Sequence, residues 1–390
     1  MLSVDELCSL IDREVRPLPS VRLPLAQALG HYLAEEIRAD ADMPAFDRAA
    51  IDGYALPENA LPGWYKVVGE VTPGMPPFAA PTSGTAVKIF TGSALPGSGV
   101  GLVMVEETEC EGQKVLTRVA ASDRHVRAKG SQAKRGQLLL AAGTRVNPGA
   151  IALLASVGAA SPLVSNIPKI MHLVTGSELV AADLDPPAGF IRDSNSPLMA
   201  ALIAEAGSGT LTQRRGSESV VEAVDTLGSF DGDMLLISGG ASVGAYDGSM
   251  QILQRLGFVI HCSKVRSRPG KPLLFATRDR CAAFGLPGNP LSHFVCFHLF
   301  IRRALDIMWG RVPQRIMRVH LDGDRPPTDP RETWWPARVS AEAGSLIAKA
   351  LPWKDSSDLT GLAPANALLR IANSPTNGMF EALVFGNLTP

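Results

Sequence analysis

The sequence has no excess of charge of one sign and no long apolar run, and each absence argues against a class of protein. Lys plus Arg number 37 and Asp plus Glu number 38, a formal net charge of −1. General nucleic-acid binding is disfavoured, because it normally requires a basic excess. The longest nearly uncharged stretches, Ile151–Pro162 and Phe294–Ile301, are too short to span a bilayer. The N-terminal residues are acidic where a signal peptide would be basic, so we expect a cytoplasmic protein with no membrane partner.

Paired cysteines and two common phosphate-binding motifs are also missing. The five cysteines form no C-x-x-C and leave an odd one over, so neither a zinc site nor a disulfide framework is predicted. The glycine-rich segment Met234–Gly244 lacks the Gly-Lys-Ser/Thr of a Walker loop, and the chain has no G-x-G-x-x-G. P-loop and dinucleotide-binding proteins are therefore disfavoured.

Glycine, proline and apolar residues are abundant instead. The chain has 37 glycines, 30 prolines and 46% hydrophobic residues among its 390, which predicts sizeable cores joined by many tight turns. Length alone predicts two or three domains at roughly 150 residues each.

The pattern of apolar residues predicts an α/β plus β fold with four domains. Residues 1–42 and 136–165 form a discontinuous N-terminal linker domain of helical and extended segments. Residues 43–135 carry short β-type runs split by Gly and Pro and form an inserted all-β module. Residues 166–312 alternate strand and helix, which predicts a parallel sheet with helices on both faces. Residues 313–390 return to β-like runs and form a C-terminal β domain.

Helical spacing in the N-terminal region predicts two helices, Val4–Val15 and Leu25–Ile37. Pro17 and Pro19 separate them, because proline interrupts a helix.

Two strands of the α/β domain end in loops that suit an anion, and ligands of such sheets gather at these strand ends. Thr175 and Gly176 end one strand, and Met234–Gly244 runs from another strand into glycines and serines. Glycine lets backbone N–H groups approach a ligand, and serine adds a hydroxyl donor. A turn that only reverses the chain is the alternative. The glycines and serines of the second loop are Ser238, Gly239, Gly240, Ser242 and Gly244.

Carboxylates lie beside both loops. Glu178 follows Thr175, and Asp247 follows the second loop. Carboxylates that face an anion loop need a metal, a proton or a polar substrate between them. Asp193 and Asn195 precede a predicted helix and are equally well explained as ordinary N-cap residues.

Two further segments complete the predicted anion site. Four cations, Lys264, Arg266, Arg268 and Lys271, bracket a Pro-Gly turn, which holds them in a fixed arrangement. The segment Gly285–Ser292 precedes the last helix and places the Ser292 hydroxyl in its first turn. Each segment alone fits a simple turn, but together at successive strand ends they predict one site. The remaining candidates from the last segment are Pro287, Gly288 and Asn289.

The β module has its own polar cluster. Asp52 and Gly53 are typical of a turn, while Thr91 and Gly92 again combine a hydroxyl with a glycine.

These motifs resemble, in order, those of the molybdopterin molybdenumtransferase (MoeA) family, which is related to the gephyrin E domain. Pro44–Ala55 is similar to the family's P-x-F-D-x-S-A-x-D-G-Y-A, and Thr91–Pro96 is similar to its T-G-A-x-x-P. The resemblance covers essentially the whole chain. Its other matching segments are Thr175–Leu179, Asp193–Asn195, Ser238–Gly244, Pro269–Pro272 and Leu286–Ser292.

The resemblance implies an elongated subunit of four domains whose α/β domain is MoaB/Mog-like with three layers. It implies insertion of molybdate into adenylylated molybdopterin with release of AMP, and Mg²⁺ as the cofactor. It further implies a homodimer whose active-site cleft lies between the α/β domain of one subunit and the β module of the other. The implied partners are a Mog-type adenylyltransferase, molybdoenzyme-maturation proteins and small anionic ligands.

The site residues are carried over position by position. The implied catalytic residues are Asp52, Thr91, Glu178, Asp247, Lys264 and Arg268. Glu178 and Asp247 are the implied metal ligands. The implied cofactor-binding residues are Thr175, Gly176, Asp193, Asn195, Ser238, Gly239, Gly240, Ser242, Gly244, Lys271, Pro287, Gly288, Asn289 and Ser292.

The chain departs from the family pattern at three places. Arg214 and Arg215, followed by Gly216 and Ser217, stand where the family has an Asp-Asp pair, and Glu218 is the nearest acid. In addition, Arg268 replaces the usual Lys and Ala49 replaces the usual Ser.

The departures leave two other functions open. One is a paralogue of the same fold that binds molybdopterin or the molybdenum cofactor as a carrier or scaffold. A weaker one is a nucleotide or pyrophosphate hydrolase that shares only the α/β domain, which would not need the motifs around Asp52 and Thr91.

Overall fold

The computed structural model divides the chain into two units. It describes residues 1–76, 78–207, 209–216, 219–228, 230–239, 243–311, 316–371 and 379–388. For residues 243–247 it describes the backbone only. The first unit comprises Met1–Ala34, Gly143–Val146 and Leu163–Pro390. The second comprises Glu35–Ala142 and Asn147–Pro162.

A six-stranded mixed sheet forms the centre of the first unit. Its strands lie in the order Thr210–Gly216, Lys169–Thr175, Met234–Ser238, Cys281–Leu286, Leu274–Arg278 and Val259–Cys262. The first four strands are parallel, and Leu274–Arg278 runs antiparallel to both of its neighbours, so Val259–Cys262 points the same way as the first four. The prediction of a wholly parallel sheet is therefore wrong at Leu274–Arg278. The reason is the short turn between Arg278 and Cys281, since a parallel crossover needs about a dozen residues.

Helices cover both faces of this sheet. Side chains alternate along each strand, so that Ile170 and Phe284 face one core while Leu173 and Leu235 face the other. The first face carries Val4–Glu14, Asn195–Glu205, Pro290–Cys296, the π-helical turn Phe297–Ile301 and Arg302–Met308. The second face carries Val220–Leu227 and Val243–Arg255. The predicted three-layer α/β arrangement is confirmed.

The N-terminal helix belongs to the α/β core. Ser3 and Glu6 form a reciprocal capping box at its start. Leu7 and Ile11 have no exposed surface and lie in the same apolar cluster as the sheet. The linker-domain prediction for residues 1–42 did not include this packing.

The second predicted helix, Leu25–Ile37, is wrong. Only Leu25–Ala28 is helical. Gly30 follows at a φ of +86°, a conformation typical of the residue that ends a helix. The chain then continues extended, and Ile37–Arg38 is a short strand.

The C-terminal strands close into a barrel. Glu332–Glu342 pairs with strands on both of its sides, and each further pairing leads round to it again. Along this strand Trp335 faces the barrel core, whereas Trp334 packs into the α/β core. The short strand Ser267–Arg268 pairs in parallel with the start of Glu332–Glu342. The other barrel strands are Ser345–Ala350, Ile316–Asp322, Phe380–Val384 and Ala367–Ile371.

The second unit holds another six-stranded sheet with an apolar cluster on each face. Its strands lie in the order Val100–Met104, Gly53–Pro57, Thr85–Ile89, Gly63–Val71, Lys114–Thr117 and Thr108–Glu111. The helix Pro148–Ser156 belongs to the same unit. The short paired strands of the chain are Val21–Arg22 with Leu163–Val164, Ile37–Arg38 with Leu138–Leu140, Arg48–Ala49 with Val126–Arg127, and Leu179–Val180 with Ile191–Arg192.

The predicted multi-domain α/β plus β class is thereby confirmed, while the four domain boundaries stay predictions. Among the helices of the described residues, none combines the length and the apolar character that a membrane crossing requires.

Candidate functional site

The carboxyl ends of the four parallel strands bring the predicted anion loops to one edge of the sheet. Thr175 lies opposite Gly216, Val174 opposite Ser238, and Ser238 opposite Leu286. The segments that follow these strand ends therefore leave the sheet side by side, where ligands of α/β sheets bind.

An open pocket of about 140 Å³ lies at this edge. The predicted residues that line it are Thr175, Glu178, Asn195, Ser238, Gly239, Gly288 and Asn289. Leu179, Ser194 and Pro290 also line it and lie within the matching segments without having been singled out. The lining residues that sequence reasoning missed are Val174, Ile191, Arg192 and Ser357. Ser357 comes from a loop of the C-terminal barrel domain, far away in sequence, so no local motif signals it.

Gly176 makes room for the Glu178 carboxylate. Its φ is +150°, and a Cβ atom there would lie 3.0 Å from Glu178 Oε2. Any other residue would strain the turn and displace the carboxylate. Thr175 fixes the same turn, because its hydroxyl donates to the Ser238 carbonyl at 3.2 Å.

Asp193 acts as a helix-capping residue. Its Oδ1 accepts from the backbone N–H groups of Asn195 at 3.1 Å and Ser196 at 3.0 Å, and its Oδ2 accepts from the Ser196 hydroxyl at 2.5 Å. Asn195 donates from Nδ2 to the Gly288 carbonyl at 2.7 Å, which ties two walls of the pocket together. These hydrogen bonds agree with the capping interpretation of Asp193.

Ser238 lies in a buried polar network below the pocket. His172 Nε2 is 2.7 Å from Ser238 Oγ, and His293 Nε2 is 2.6 Å from the same oxygen. Gln213 Nε2 donates to His172 Nδ1 at 3.0 Å, and His293 Nδ1 is 3.3 Å from the Asn289 carbonyl. Sequence reasoning missed both histidines, because an isolated His on a strand or helix carries no motif.

Both imidazoles of this network are neutral. Burial lowers the pKa of His172 to about 3 and that of His293 to about 4. The Ser238 hydroxyl is hydrogen-bonded to both histidines, so it is not free to bind a ligand.

The start of the helix Pro290–Cys296 is covered by the barrel-domain loop. The Leu291 N–H donates to the Ser356 carbonyl at 3.2 Å, and Asn289 Nδ2 donates to the Ser356 hydroxyl at 2.6 Å. Ser292 lies in the first turn as predicted, but it is 3% exposed and does not line the pocket.

The four predicted cations, Lys264, Arg266, Arg268 and Lys271, lie outside the pocket lining. Lys264 and Lys271 are exposed on either side of the Pro-Gly turn. Arg268 donates to Asp329 Oδ2 at 3.2 Å, and its guanidinium carbon is 5.1 Å from the centre of a Trp353 ring. Hydrogen bonds from the Arg331 side chain, with Arg268 nearby, lower the pKa of Asp329 to about 2.

Asp52 and Thr91 contact each other in the second unit. Asp52 Oδ1 accepts from the Thr91 N–H at 2.8 Å and from its hydroxyl at 2.9 Å, and these bonds lower the pKa of the carboxyl. Gly53 begins a strand rather than a turn. A Cβ atom there would lie 2.0 Å from the Val103 carbonyl oxygen, so the close approach of two strands requires glycine.

Arg214 and Arg215, which replace the family's acidic pair, face opposite sides of the sheet. Arg214 donates to the Thr226 carbonyl at 2.6 Å, at the end of the helix Val220–Leu227. Gln213 reaches His172 and Ser196 on the other side, so side-chain alternation places Arg215 on the Gln213 side.

Several predicted residues cannot be placed fully. Gly240 and Ser242, with Ser217 and Glu218, lie outside the described residues. Gly244 and Asp247 lie in the helix Val243–Arg255, and their surroundings are likewise outside the description. Within the part of the chain that the structure describes, no three His, Cys, Asp or Glu side chains form a metal-binding cluster.

Three family models match the chain in order. Residues 2–158 match the "MoeA N-terminal region (domain I and II)", residues 171–306 the "Probable molybdopterin binding domain", and residues 318–376 the "MoeA C-terminal region (domain IV)". Together with the fold and the anion loops, these matches define a molybdenum cofactor biosynthesis protein of the MoeA type.

Whole-chain relatives agree. The molybdopterin molybdenumtransferase of Bacillus subtilis is 32% identical over 369 residues, which cover 88% of this chain and 84% of the relative. That of Staphylococcus aureus strain Mu50 is 28% identical over 383 residues, covering 95% and 91%. The crystal structure of the molybdopterin biosynthesis moeA protein from Pyrococcus horikoshii OT3 superposes with a TM-score of 0.77 at 26% identity, covering 98% of this chain and 100% of that one. The chain belongs to the molybdopterin molybdenumtransferase family.

Proposed function

We propose that this protein inserts molybdate into adenylylated molybdopterin and releases AMP. As a member of its family the chain is a transferase that acts on molybdopterin. The pocket between Thr175, Gly239 and Gly288 carries the proposal, because its lining places a hydroxyl and two glycines beside the Glu178 carboxylate at parallel strand ends. Such a site suits a small phosphate-bearing ligand. The reaction belongs to the cytoplasm in this proposal.

Glu178 and Asp247 are the proposed ligands of Mg²⁺. The donors at the pocket fit this ion, since the Glu178 carboxylate and the Asn195 side-chain oxygen are hard oxygen atoms. Mg²⁺ in such a site neutralises phosphate charge. Glu178 is held in position by its own turn, where Gly176 leaves the carboxylate space.

The remaining proposed site residues divide into two groups. Lys264, Arg268 and Lys271 supply positive charge for molybdate and phosphate oxygens, and Arg268 is oriented by Asp329 and Trp353. The proposed cofactor-binding residues are Thr175, Gly176, Asp193, Asn195, Ser238, Gly239, Gly240, Ser242, Gly244, Pro287, Gly288, Asn289 and Ser292, together with Lys271.

Asp52 and Thr91 are the proposed contribution of the β module. Asp52 is exposed and ionised, and only its Oδ1 is used by Thr91. In the proposed homodimer this pair serves the α/β domain of the other subunit. The proposed suppliers and receivers are a Mog-type adenylyltransferase and molybdoenzyme-maturation proteins.

Complementation tests the proposal in cells. A strain that lacks its own molybdenum insertase and expresses this protein is expected to regain nitrate-reductase activity, and a Glu178→Gln variant is expected to restore far less. Arg214→Gln serves as the control, because Arg214 caps a helix on the opposite face. Failure of the wild-type protein at every molybdate concentration would refute the proposal.

The carrier or scaffold alternative has a distinct outcome. Purified protein would bind adenylylated molybdopterin yet release no AMP with Mg²⁺ and molybdate, while Arg215→Asp would gain AMP release. The alternative was motivated by Arg214 and Arg215 in place of two acids. Of these two, only Arg215 lies on the side of the sheet that Gln213 shares with His172, so the structure supports the alternative less than the sequence does.

A further inference from the structure

We propose that the side-chain series Gln213–His172–Ser238–His293–Asn289, whose three central members are buried, is a one-directional hydrogen-bond relay that holds the pocket loops in place before ligand binds. The inference rests on the proposed function of the pocket and assigns a positioning role to three residues behind the lining residues Ser238 and Asn289. None of His172, His293 and Gln213 lines the pocket.

The direction of the relay follows from its first member. Gln213 Nε2 donates to the Ser196 carbonyl at 2.9 Å, which identifies that atom as the amide nitrogen, since a carbonyl only accepts. The same nitrogen lies 3.0 Å from His172 Nδ1. His172 Nδ1 must therefore accept, and in a neutral ring the proton is on Nε2.

Each later bond is then determined. His172 Nε2–H donates to Ser238 Oγ at 2.7 Å, so the Ser238 hydroxyl proton is directed to His293 Nε2 at 2.6 Å. His293 accepts at Nε2 and carries its proton on Nδ1, which faces the Asn289 carbonyl at 3.3 Å. All four ring nitrogens and the Ser238 hydroxyl then have partners with both rings neutral. A flipped Gln213 amide would instead place its oxygen 2.9 Å from the Ser196 carbonyl oxygen, where the two acceptors repel each other.

The relay joins the walls of the pocket. At one end Gln213 holds Ser196, in the first turn of the helix that begins at Asn195. In the middle Ser238 precedes the glycine loop. At the other end Asn289, besides accepting from His293, donates to Ser356 at 2.6 Å. His172 and His293 have no exposed surface, so loss of one bond leaves a buried polar group unpaired.

Nitrogen NMR of histidine-labelled protein tests the direction. At pH 7 we expect His172 as the Nε2–H tautomer and His293 as the Nδ1–H tautomer. Gln213→Glu replaces the amide donor by an acceptor and is expected to move the His172 proton to Nδ1. Gln213 is largely exposed, so this variant keeps the fold. Arg214→Gln, one residue along on the opposite side, is expected to leave both tautomers unchanged. Opposite tautomers, a charged ring, or no response to Gln213→Glu would overturn the relay.

Hydrogen exchange tests positioning without any assay of activity. His293→Leu is expected to speed backbone amide exchange in residues 175–179 and 288–289 by about tenfold. His293→Gln keeps an acceptor where Nε2 lies and is expected to reverse most of this effect. In the enzyme assay His293→Leu should raise KM about tenfold with kcat nearly unchanged.

The outcomes are separable. Unchanged exchange in His293→Leu, or an equal increase in His293→Gln, would overturn the positioning role. If the wild-type protein had no molybdenum insertase activity, the proposed function would fail, whereas the tautomers and exchange rates would still decide the relay.

Discussion

His298 shows at the scale of one residue how a buried imidazole links stability to pH. It is 5% exposed, stacks on Phe385 at 4.3 Å between ring centres, and neither ring nitrogen has a hydrogen-bond partner in the described structure. Burial lowers its pKa to about 3. The unfolded chain binds a proton near pH 6.5, so stability falls as pH drops from about 6.5 toward the folded pKa.

The substitution His298→Phe removes the contribution of this histidine to the pH dependence of stability. The wild-type protein is expected to lose about 2 kcal/mol more unfolding free energy than the variant between pH 7.5 and pH 5. Urea unfolding at the two pH values measures the difference. Parallel losses in both proteins would show that His298 is not buried in its neutral form.

The Asp306–Arg311 ion pair is the second residue-scale test. Asp306 is 2% exposed at its side chain, and Arg311 is 8% exposed. Arg302 Nε also lies 3.0 Å from Asp306 Oδ1, so Arg311→Met removes one of two charged partners of a buried carboxylate and is expected to cost about 2 kcal/mol in unfolding free energy. The matched control is Arg303→Met, because the Arg303–Asp12 pair is much more exposed and should contribute less than about 1 kcal/mol. Equal effects of the two substitutions would contradict this account.

At the scale of elements, the N-terminal helix is held by its core contacts more than by its cap. Ile11 is fully buried against the α/β core, whereas the Ser3 cap is exposed. Ile11→Ala is expected to cost about 2–5 kcal/mol and Ser3→Ala about 1 kcal/mol, as chemical denaturation would measure. A larger effect of Ser3→Ala would mean that the helix does not depend on the α/β core.

The elements that local patterns predict are those with local causes. Val4–Val15 was predicted almost to its ends, because apolar spacing and a capping residue determine the helix. The prediction of a helix over Leu25–Ile37 is wrong, because the helix ends after one turn at Gly30. The antiparallel strand Leu274–Arg278 results from a short turn to the next strand, which the alternation of strands and helices does not predict.

In the candidate site, too, only the residues that belong to local motifs could be predicted. Thr175, Glu178 and Gly288 were predicted at one edge because parallel strands share their carboxyl ends. Ser357 and His293 were missed, because tertiary packing alone brings them to the anion loops.

At the scale of the whole molecule, the proposed shared active site makes a dimer prediction. Asp52→Asn and Glu178→Gln subunits, each inactive alone, are expected to regain about a quarter of wild-type activity when refolded together, since one of the two sites in a mixed dimer is intact. Refolded single variants serve as controls. No recovery, with mixed dimers present by native mass spectrometry, would place both residues in sites within one subunit or remove one of them from the mechanism.

AMP release by the purified protein tests the central claim most directly. With adenylylated molybdopterin, Mg²⁺ and molybdate, the wild-type protein is expected to release AMP over many turnovers. Glu178→Gln should be slower by about 100-fold, because it removes a charge at the pocket, and Arg214→Gln should match the wild type. Binding of the adenylylated pterin with no AMP release from the wild-type protein would contradict the account.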